Sequence, residues 1–375
     1  MAYIVRKEMK NPTFPLLALF FAMSSLHGQE PEDISPHIKT IINGSGVPAL
    51  AAAAVLDGKI VSLGAAGVRK KGDPIAVTTE DKFHIGSCTK SMTATLGAIL
   101  IEDGKLQWDT KLSEVFHDLD IHEDYKNVTF DQLVTNTAGV PGDIQPDLWS
   151  ALWKREGSER AQRLRLVQGI LREPPAYKPG SDQVYSNAGF SIAGAMLEAI
   201  TDRSYEELLT ERLFNPLGMT SGGFRAPASN GHVDQPYGHT KSFFMVSPAD
   251  PEPKGDNPPA IAPAGAVHCS VLDFARYALL HLAKADKGNL TNKSLDKLHE
   301  SIQGKDYGRG WVVTNRPWAK GRAITHAGSN TMFYAVIWIA PEREFAAVAM
   351  CNYGDQEGFT KCDETIGYLI KRHLK

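Results

Sequence analysis

The sequence predicts an α+β fold: an antiparallel sheet built from both chain ends and flanked by helices, plus a mainly helical lobe between them. Three observations predict it. Two apolar runs near the start, in "VPALAAAAVLDGKIVSLGAAGVRK" (47–70), surround an Asp57-Gly58 pair. Two more, in "AITHAGSNTMFYAVIWIAPEREFAAVAMCN" (323–352), surround "PERE". The long stretch between them reads as helices.

Taken in order, Asp57-Gly58 is a favoured two-residue hairpin turn, so the first two runs are paired strands. "SMTATLGAILIEDG" reads as a helix that stops at Gly104, a C′ glycine. "TFDQLVTNTAG" opens with Thr129 and Gln132 at capping-box spacing. "NAGFSIAGAMLEAITD", "YEELLTERLFNPLG" and "SVLDFARYALLHLAK" read as further helices. The segment 242–268, "SFFMVSPADPEPKGDNPPAIAPAGAVH", is proline-rich and without periodicity, and reads as a long loop. "PERE" turns between the last two strands, and "DETIGYLIKRHLK" is a closing helix. A sheet lobe is expected over about 35–90 and 305–375, with a helical lobe over about 91–304. Clefts between such lobes are preferred ligand sites.

The chain of 375 residues is ample for a core, and 42% apolar and 22% charged residues are ordinary for a globular protein. A net charge of −3 argues against nucleic acid or an anionic membrane surface as a partner. Arg6, Lys7 and Lys10 precede an apolar run from about Phe14 to Leu26, and acidic residues follow. That is the layout of a signal peptide over residues 1–29, with one folded domain over 30–375 and a secreted or periplasmic location. The run is short for a transmembrane span, so no stable membrane span is expected after cleavage. Cys88, Cys269, Cys351 and Cys362 form no C-x-x-C pair, and a Cys351–Cys362 bridge is disfavoured. There is no zinc spacing, phosphate loop or dinucleotide fingerprint, so neither metal nor cofactor is implied.

In "HIGSCTK" (84–90), Ser87 stands three residues before Lys90, and a small, apolar helix follows. A helix beginning just after Ser87 would put Lys90 one turn on, on the same face. A buried lysine tends to lose its proton, and a neutral amine beside a hydroxyl is a base beside a nucleophile. The alternative is a capping serine with a lysine that reaches solvent, and this segment alone does not choose. A second S-x-x-K, Ser294 to Lys297, lies in the charged stretch "NKSLDKLHE" and reads as a solvated helix.

Two later stretches add to the first: Tyr185-Ser186-Asn187 in "GSDQVYSNAGF", and His326-Ala327-Gly328-Ser329 in "ITHAGSN". In this order the three motifs resemble those of the penicillin-recognising serine hydrolases, which carry S-x-x-K, then Y-x-N, then K-T-G or H-x-G. That group includes class C β-lactamases, D-Ala-D-Ala carboxypeptidases, and their esterase and D-aminopeptidase relatives. The resemblance runs from about residue 35 onward and includes "LVTNTAGVP", "LFNPLGMTSGGF", "PAGAVHCSVLDFARY" and "YGRGW". It implies the β-lactamase/transpeptidase-like fold and a covalent acyl-enzyme. Ser87 would be the nucleophile, and Lys90 and Tyr185 would share the proton transfers. Asn187 would bind substrate and help fix Lys90. His326 would line the opposite wall, and the N–H groups of Ser87 and Ser329 would form the oxyanion hole. Gly328 would leave room for substrate along the strand.

The third motif departs from the usual β-lactamase pattern. Lysine there helps bind a substrate carboxylate, whereas His326 carries full charge only below its reference pKa of about 6.5. An optimised cephalosporinase is therefore disfavoured. No acidic deacylating base of the class A kind is seen, so that step falls to Tyr185. The expectation is a serine hydrolase acting on a small ester, amide or D-amino-acid peptide. The alternatives are a class C-type β-lactamase, or an exported penicillin-binding or sensor protein that keeps the pocket without turnover.

Overall fold

In the computed structural model, residues 30–243, 245–282, 290–302 and 304–375 are described. The segment read as a signal peptide lies outside them. Among the described residues, twelve strands run β1 (Glu32–Asp33), β2 (Ala49–Leu56), β3 (Lys59–Gly67), β4 (Lys82–His84), β5 (Gly223–Phe224), β6 (His239–Ser242), β7 (Met245–Pro248), β8 (Val267–Ser270), β9 (Val312–Arg316), β10 (Gly321–Ser329), β11 (Tyr334–Ala340) and β12 (Phe345–Cys351).

The main sheet has seven strands in the order β1-β3-β2-β12-β11-β10-β9. It is antiparallel apart from the two-residue β1, which runs parallel to β3. The early hairpin meets the late strands at its centre, where Ala53 lies opposite Val348. Asp57 and Gly58 both take positive φ at the β2–β3 turn, the conformation that Asp-Gly tolerates.

The run of alanines in β2 has a packing reason. Ala49, Ala51, Ala53 and Val55 face one core, while Leu50, Ala52 and Ala54 face a second. Helices cover both faces: Val271–Leu282 on one, and Ser35–Ile42 with Gln356–His373 on the other. Small side chains let helices approach a sheet from both sides at native packing density.

Several elements differ from expectation. The late strand region forms three strands, because Asn330 makes a turn between β10 and β11: its Oδ1 accepts from the N–H groups of Met332 and Phe333. β9 forms the outer edge beyond β10. The segment 242–268 is not one loop. It contributes to the β6–β7 hairpin, a 3-10 turn at Pro259–Ile261, a short helix at Ala262–Gly265 and the start of β8. Its pieces are too short to show a period, and β8 finds its partners, β4 and β5, far away in sequence. The second S-x-x-K helix, Asn292–Leu298, is not solvated at its serine: Ser294 is buried and its hydroxyl donates to Glu102.

The Thr89–Glu102 helix runs through the core, and every residue from Thr89 to Leu100 is buried. Its hydroxyls are satisfied within the core: Ser91 donates to the Cys88 carbonyl, Thr93 to that of Pro263 and Thr95 to that of Ser91. Gly97 makes room for Phe130, whose Cζ would lie 2.3 Å from a Cβ there. The helix closes at Gly104 with φ +69°, as its sequence predicts. The capping box at Thr129 and Gln132 forms in both directions.

Candidate active site

A 3-10 turn, Gly86–Cys88, leads into the central helix and presents Ser87 at its head. Lys90, one turn on, is fully buried. Its Nζ lies 3.1 Å from Ser87 Oγ, 2.7 Å from Asn187 Oδ1 and 2.7 Å from the Ala264 carbonyl oxygen. Burial lowers the Lys90 pKa to about 7, so neutral amine is abundant at neutral pH. A neutral amine has two N–H bonds and one lone pair. The Asn187 and Ala264 oxygens can only accept, so they take the two N–H bonds. The lone pair is left for the Ser87 hydroxyl to donate into.

Asn187 is the first residue of the Asn187–Thr201 helix, and Ser186 is its cap, accepting from the Gly189 N–H at 3.1 Å. Asn136 holds this turn from the other side. Its Oδ1 accepts from the Ser186 N–H at 3.1 Å, and its carbonyl from the Val184 N–H at 2.9 Å. The Y-S-N segment is therefore positioned by the "TNTAG" turn, a link that spacing does not reveal.

Tyr185 lies beside this cluster, with Lys90 Nζ 4.6 Å from its ring centroid. The residue is 44% exposed. Desolvation raises its pKa, and a hydrogen bond with Ser87 opposes that rise. Tyr185 is thus a neutral phenol at neutral pH.

His326, on β10, is 4% exposed, and its pKa falls to about 3 through burial and the nearby Lys90. The expectation of a histidine titrating near 6.5 is corrected: this imidazole stays neutral. Its Nδ1 lies 2.7 Å from the Ala327 carbonyl, which can only accept, so Nδ1 carries the proton. Nε2 then accepts from the Tyr307 hydroxyl at 3.3 Å. Tyr307, from "YGRGW", also packs edge-on against Tyr185, with centroids 6.3 Å apart. Its place between the two motifs was not read from the sequence.

Gly328 corrects a second expectation. A Cβ there would not point at the cleft. It would fall 2.2 Å from the Ile85 carbonyl oxygen and 2.4 Å from the Ser87 nitrogen. Gly86, at φ +51°, is reciprocal: its Cβ would meet the Ser329 nitrogen at 2.3 Å. The two glycines let the Ser87 turn and the end of β10 touch backbone to backbone, which brings the Ser87 and Ser329 N–H groups to the same contact. The open positions on this strand are Ala327 and Ser329. The structure thus gathers all seven residues singled out from the sequence, and adds Gly86, Asn136, Ala264 and Tyr307.

A cavity of about 920 Å³, lined by residues including Trp108, Ser294 and Arg322, contains none of these groups. All four cysteines are free and buried. Among the described residues, no three His, Cys, Asp or Glu are grouped to hold a metal ion.

A serine beside a buried lysine on a central helix, faced by an antiparallel sheet, defines a serine hydrolase of the β-lactamase and penicillin-binding-protein type. The chain belongs to the Beta-lactamase family, whose profile matches residues 34–367. It is similar to penicillin-binding protein 4 of Amycolatopsis lactamdurans, at 26% identity over 335 residues, 84% of this chain and 83% of that protein. It is also similar to unguisins hydrolase ungD' of Aspergillus campestris, at 25% identity over 295 residues. That match covers 74% of this chain but only 53% of the relative, so the chain spans about half of that protein's length. The fold resembles that of a β-lactamase/D-alanine carboxypeptidase from Pseudomonas syringae, with a TM-score of 0.72 at 17% identity, over 91% of this chain and 98% of that one.

Proposed function

We propose that the protein hydrolyses a small ester, amide or D-amino-acid peptide through an acyl-enzyme on Ser87. The observation that carries this reading is Lys90 Nζ, fully buried and 3.1 Å from Ser87 Oγ, with its pKa brought to about 7. Neutral Lys90 takes the Ser87 proton as Oγ attacks the carbonyl carbon. The resulting oxyanion is stabilised by the N–H groups of Ser87 and Ser329. Tyr185, a phenol at neutral pH, passes a proton to the leaving group and is replenished from Lys90. Water then attacks the acyl carbon, gives up its proton along the same path, and Ser87 is released as the free hydroxyl.

An esterase or peptidase fits better than an optimised β-lactamase. His326 offers no positive charge to a substrate carboxylate, and both its ring nitrogens are already engaged. The test is a panel of nitrocefin, short p-nitrophenyl esters and D-amino-acid peptides, with Ser87→Ala beside it. Turnover of esters or peptides above nitrocefin, abolished in Ser87→Ala, is expected. Labelling of Ser87 by a fluorophosphonate without turnover of any of them would favour the binding or sensor reading.

The same proposal places the enzyme outside the cytoplasm, on the basic and apolar character of the first 29 residues. Among the described residues, no helix is long and apolar enough to cross a membrane. N-terminal sequencing of protein from its own host tests the point, and an intact Met1 on cytoplasmic protein would overturn it.

A further inference from the structure

Asp256 is a buried carboxylate outside the three motifs, 3% exposed. Its Oδ2 lies 3.0 Å from Nε2 of His84, which is itself fully buried. Its Oδ1 accepts from the Asn257 N–H at 2.8 Å and from Asn330 Nδ2 at 3.3 Å. These contacts lead to both sides of the catalytic contact. His84 Nδ1 accepts the Gly86 N–H at 3.1 Å, one residue before Ser87. Nδ1 is therefore unprotonated, and Nε2 carries the proton that is donated to Asp256. Asn330 directly follows Ser329, and its Oδ1 builds the turn that ends β10.

We propose that Asp256 is a positioning residue that registers the Ser87 and Ser329 N–H groups against each other, through His84 on one side and Asn330 on the other. The proposal rests on the acyl-enzyme reading of Ser87. One carboxylate ties together two segments that touch backbone to backbone at Gly86 and Gly328, where the Cys88 thiol adds a single 3.4 Å contact to the His326 carbonyl. A carboxylate suits the place because every group that faces it is a donor. Asn at this position would turn its amide nitrogen either toward Asn257 N–H and Asn330 Nδ2, or toward the His84 N–H. In both orientations donor faces donor, and one side of the link is lost.

The test is the labelling of Ser87 by a fluorophosphonate, resolved into maximal rate and half-saturating concentration. For Asp256→Asn the maximal rate should fall about ten- to a hundredfold, with half-saturation within about twofold, because the oxyanion donors act chiefly on the transition state. Affinity for phenylboronic acid, which forms a tetrahedral adduct on the serine, should fall in parallel. His84→Asn keeps an acceptor near the Gly86 N–H but cuts the link to Asp256, and should show the same defect. Combining Asp256→Asn with Asn330→Asp moves donor and acceptor across the contact and should restore part of the rate. A wild-type maximal rate in folded Asp256→Asn or His84→Asn would overturn the proposal. So would a defect confined to half-saturation. Absence of label on Ser87 in the wild type would instead sink the acyl-enzyme reading, so the two failures are distinguishable.

Discussion

Gly328 and Ser87 meet so closely that a single methyl group on Gly328 would come within 2.4 Å of the Ser87 nitrogen. Gly328→Ala must therefore move β10 away from the Ser87 turn. Acylation should fall about a hundredfold or more, equally for small and large substrates. Had the glycine served to clear a path for substrate, small esters would be spared. Comparing kcat/KM for p-nitrophenyl acetate and a bulkier ester decides between the two.

Lys90→Arg retains charge but supplies no base, because guanidinium does not deprotonate in proteins. Tyr185→Phe removes the phenolic proton. Each should cost about a hundredfold or more in acylation. The double variant should be little worse than either single one, since both serve one proton path. Burst kinetics with p-nitrophenyl esters measure this, and near-normal acylation in either single variant would point to another base.

The pH profile follows from Lys90. With its pKa near 7, the neutral base is lost as pH falls, so acylation should drop about tenfold per unit below that value. His326 stays neutral until about pH 3 and should add no step to KM between pH 5 and 8. A KM step near 6.5 that disappears in His326→Gln would contradict the buried, neutral imidazole.

Stability should also fall in acid. His239 and His268 have pKa values lowered to about 4, His281 and His326 to about 3, and His299 is lowered as well, all by burial. The unfolded chain takes up these protons near pH 6.5 while the folded protein does not. The stability is complete above about pH 6.5 and drains as pH falls toward 4 and then 3. His281→Gln should reduce the slope of unfolding free energy against pH by one proton, about 1.4 kcal/mol per pH unit between pH 6 and 4.5. Urea titrations at several pH values measure it.

Residue identity and spacing made the chemistry legible where chemistry dictates them. Lys90 one turn after Ser87 could be read from spacing, with a solvent-reaching lysine left open, and the roles of Tyr185 and Asn187 came from the resemblance of the three motifs in order. The glycine-backed contact could not, because a strand's facing side depends on a partner 241 residues away, from Ser87 to Gly328. His326 was recognised, but its charge state depends on burial and on Tyr307, neither visible locally. Asp256 sat in a stretch read as loop, since nothing nearby marks a carboxylate whose partners are His84 and Asn330. The apolar run of β2 and the Asp57-Gly58 turn needed only local rules, and they held.

The pairing of Ala53 with Val348 at the centre of the main sheet has a consequence for biogenesis. As the ribosome extends the chain, the turn with Ser87 and the helix with Lys90 are made long before β10 and β12. Until those strands emerge, β2 presents a naked edge on a strand of alanines, and the sheet cannot close. A nascent chain stalled before Gly321 would hold Ser87 without the Ser329 N–H proposed as its second donor, and would leave that edge open to pairing with a neighbour. On the proposed acyl-enzyme reading, hydrolytic competence therefore waits for β10, long after the nucleophile is made.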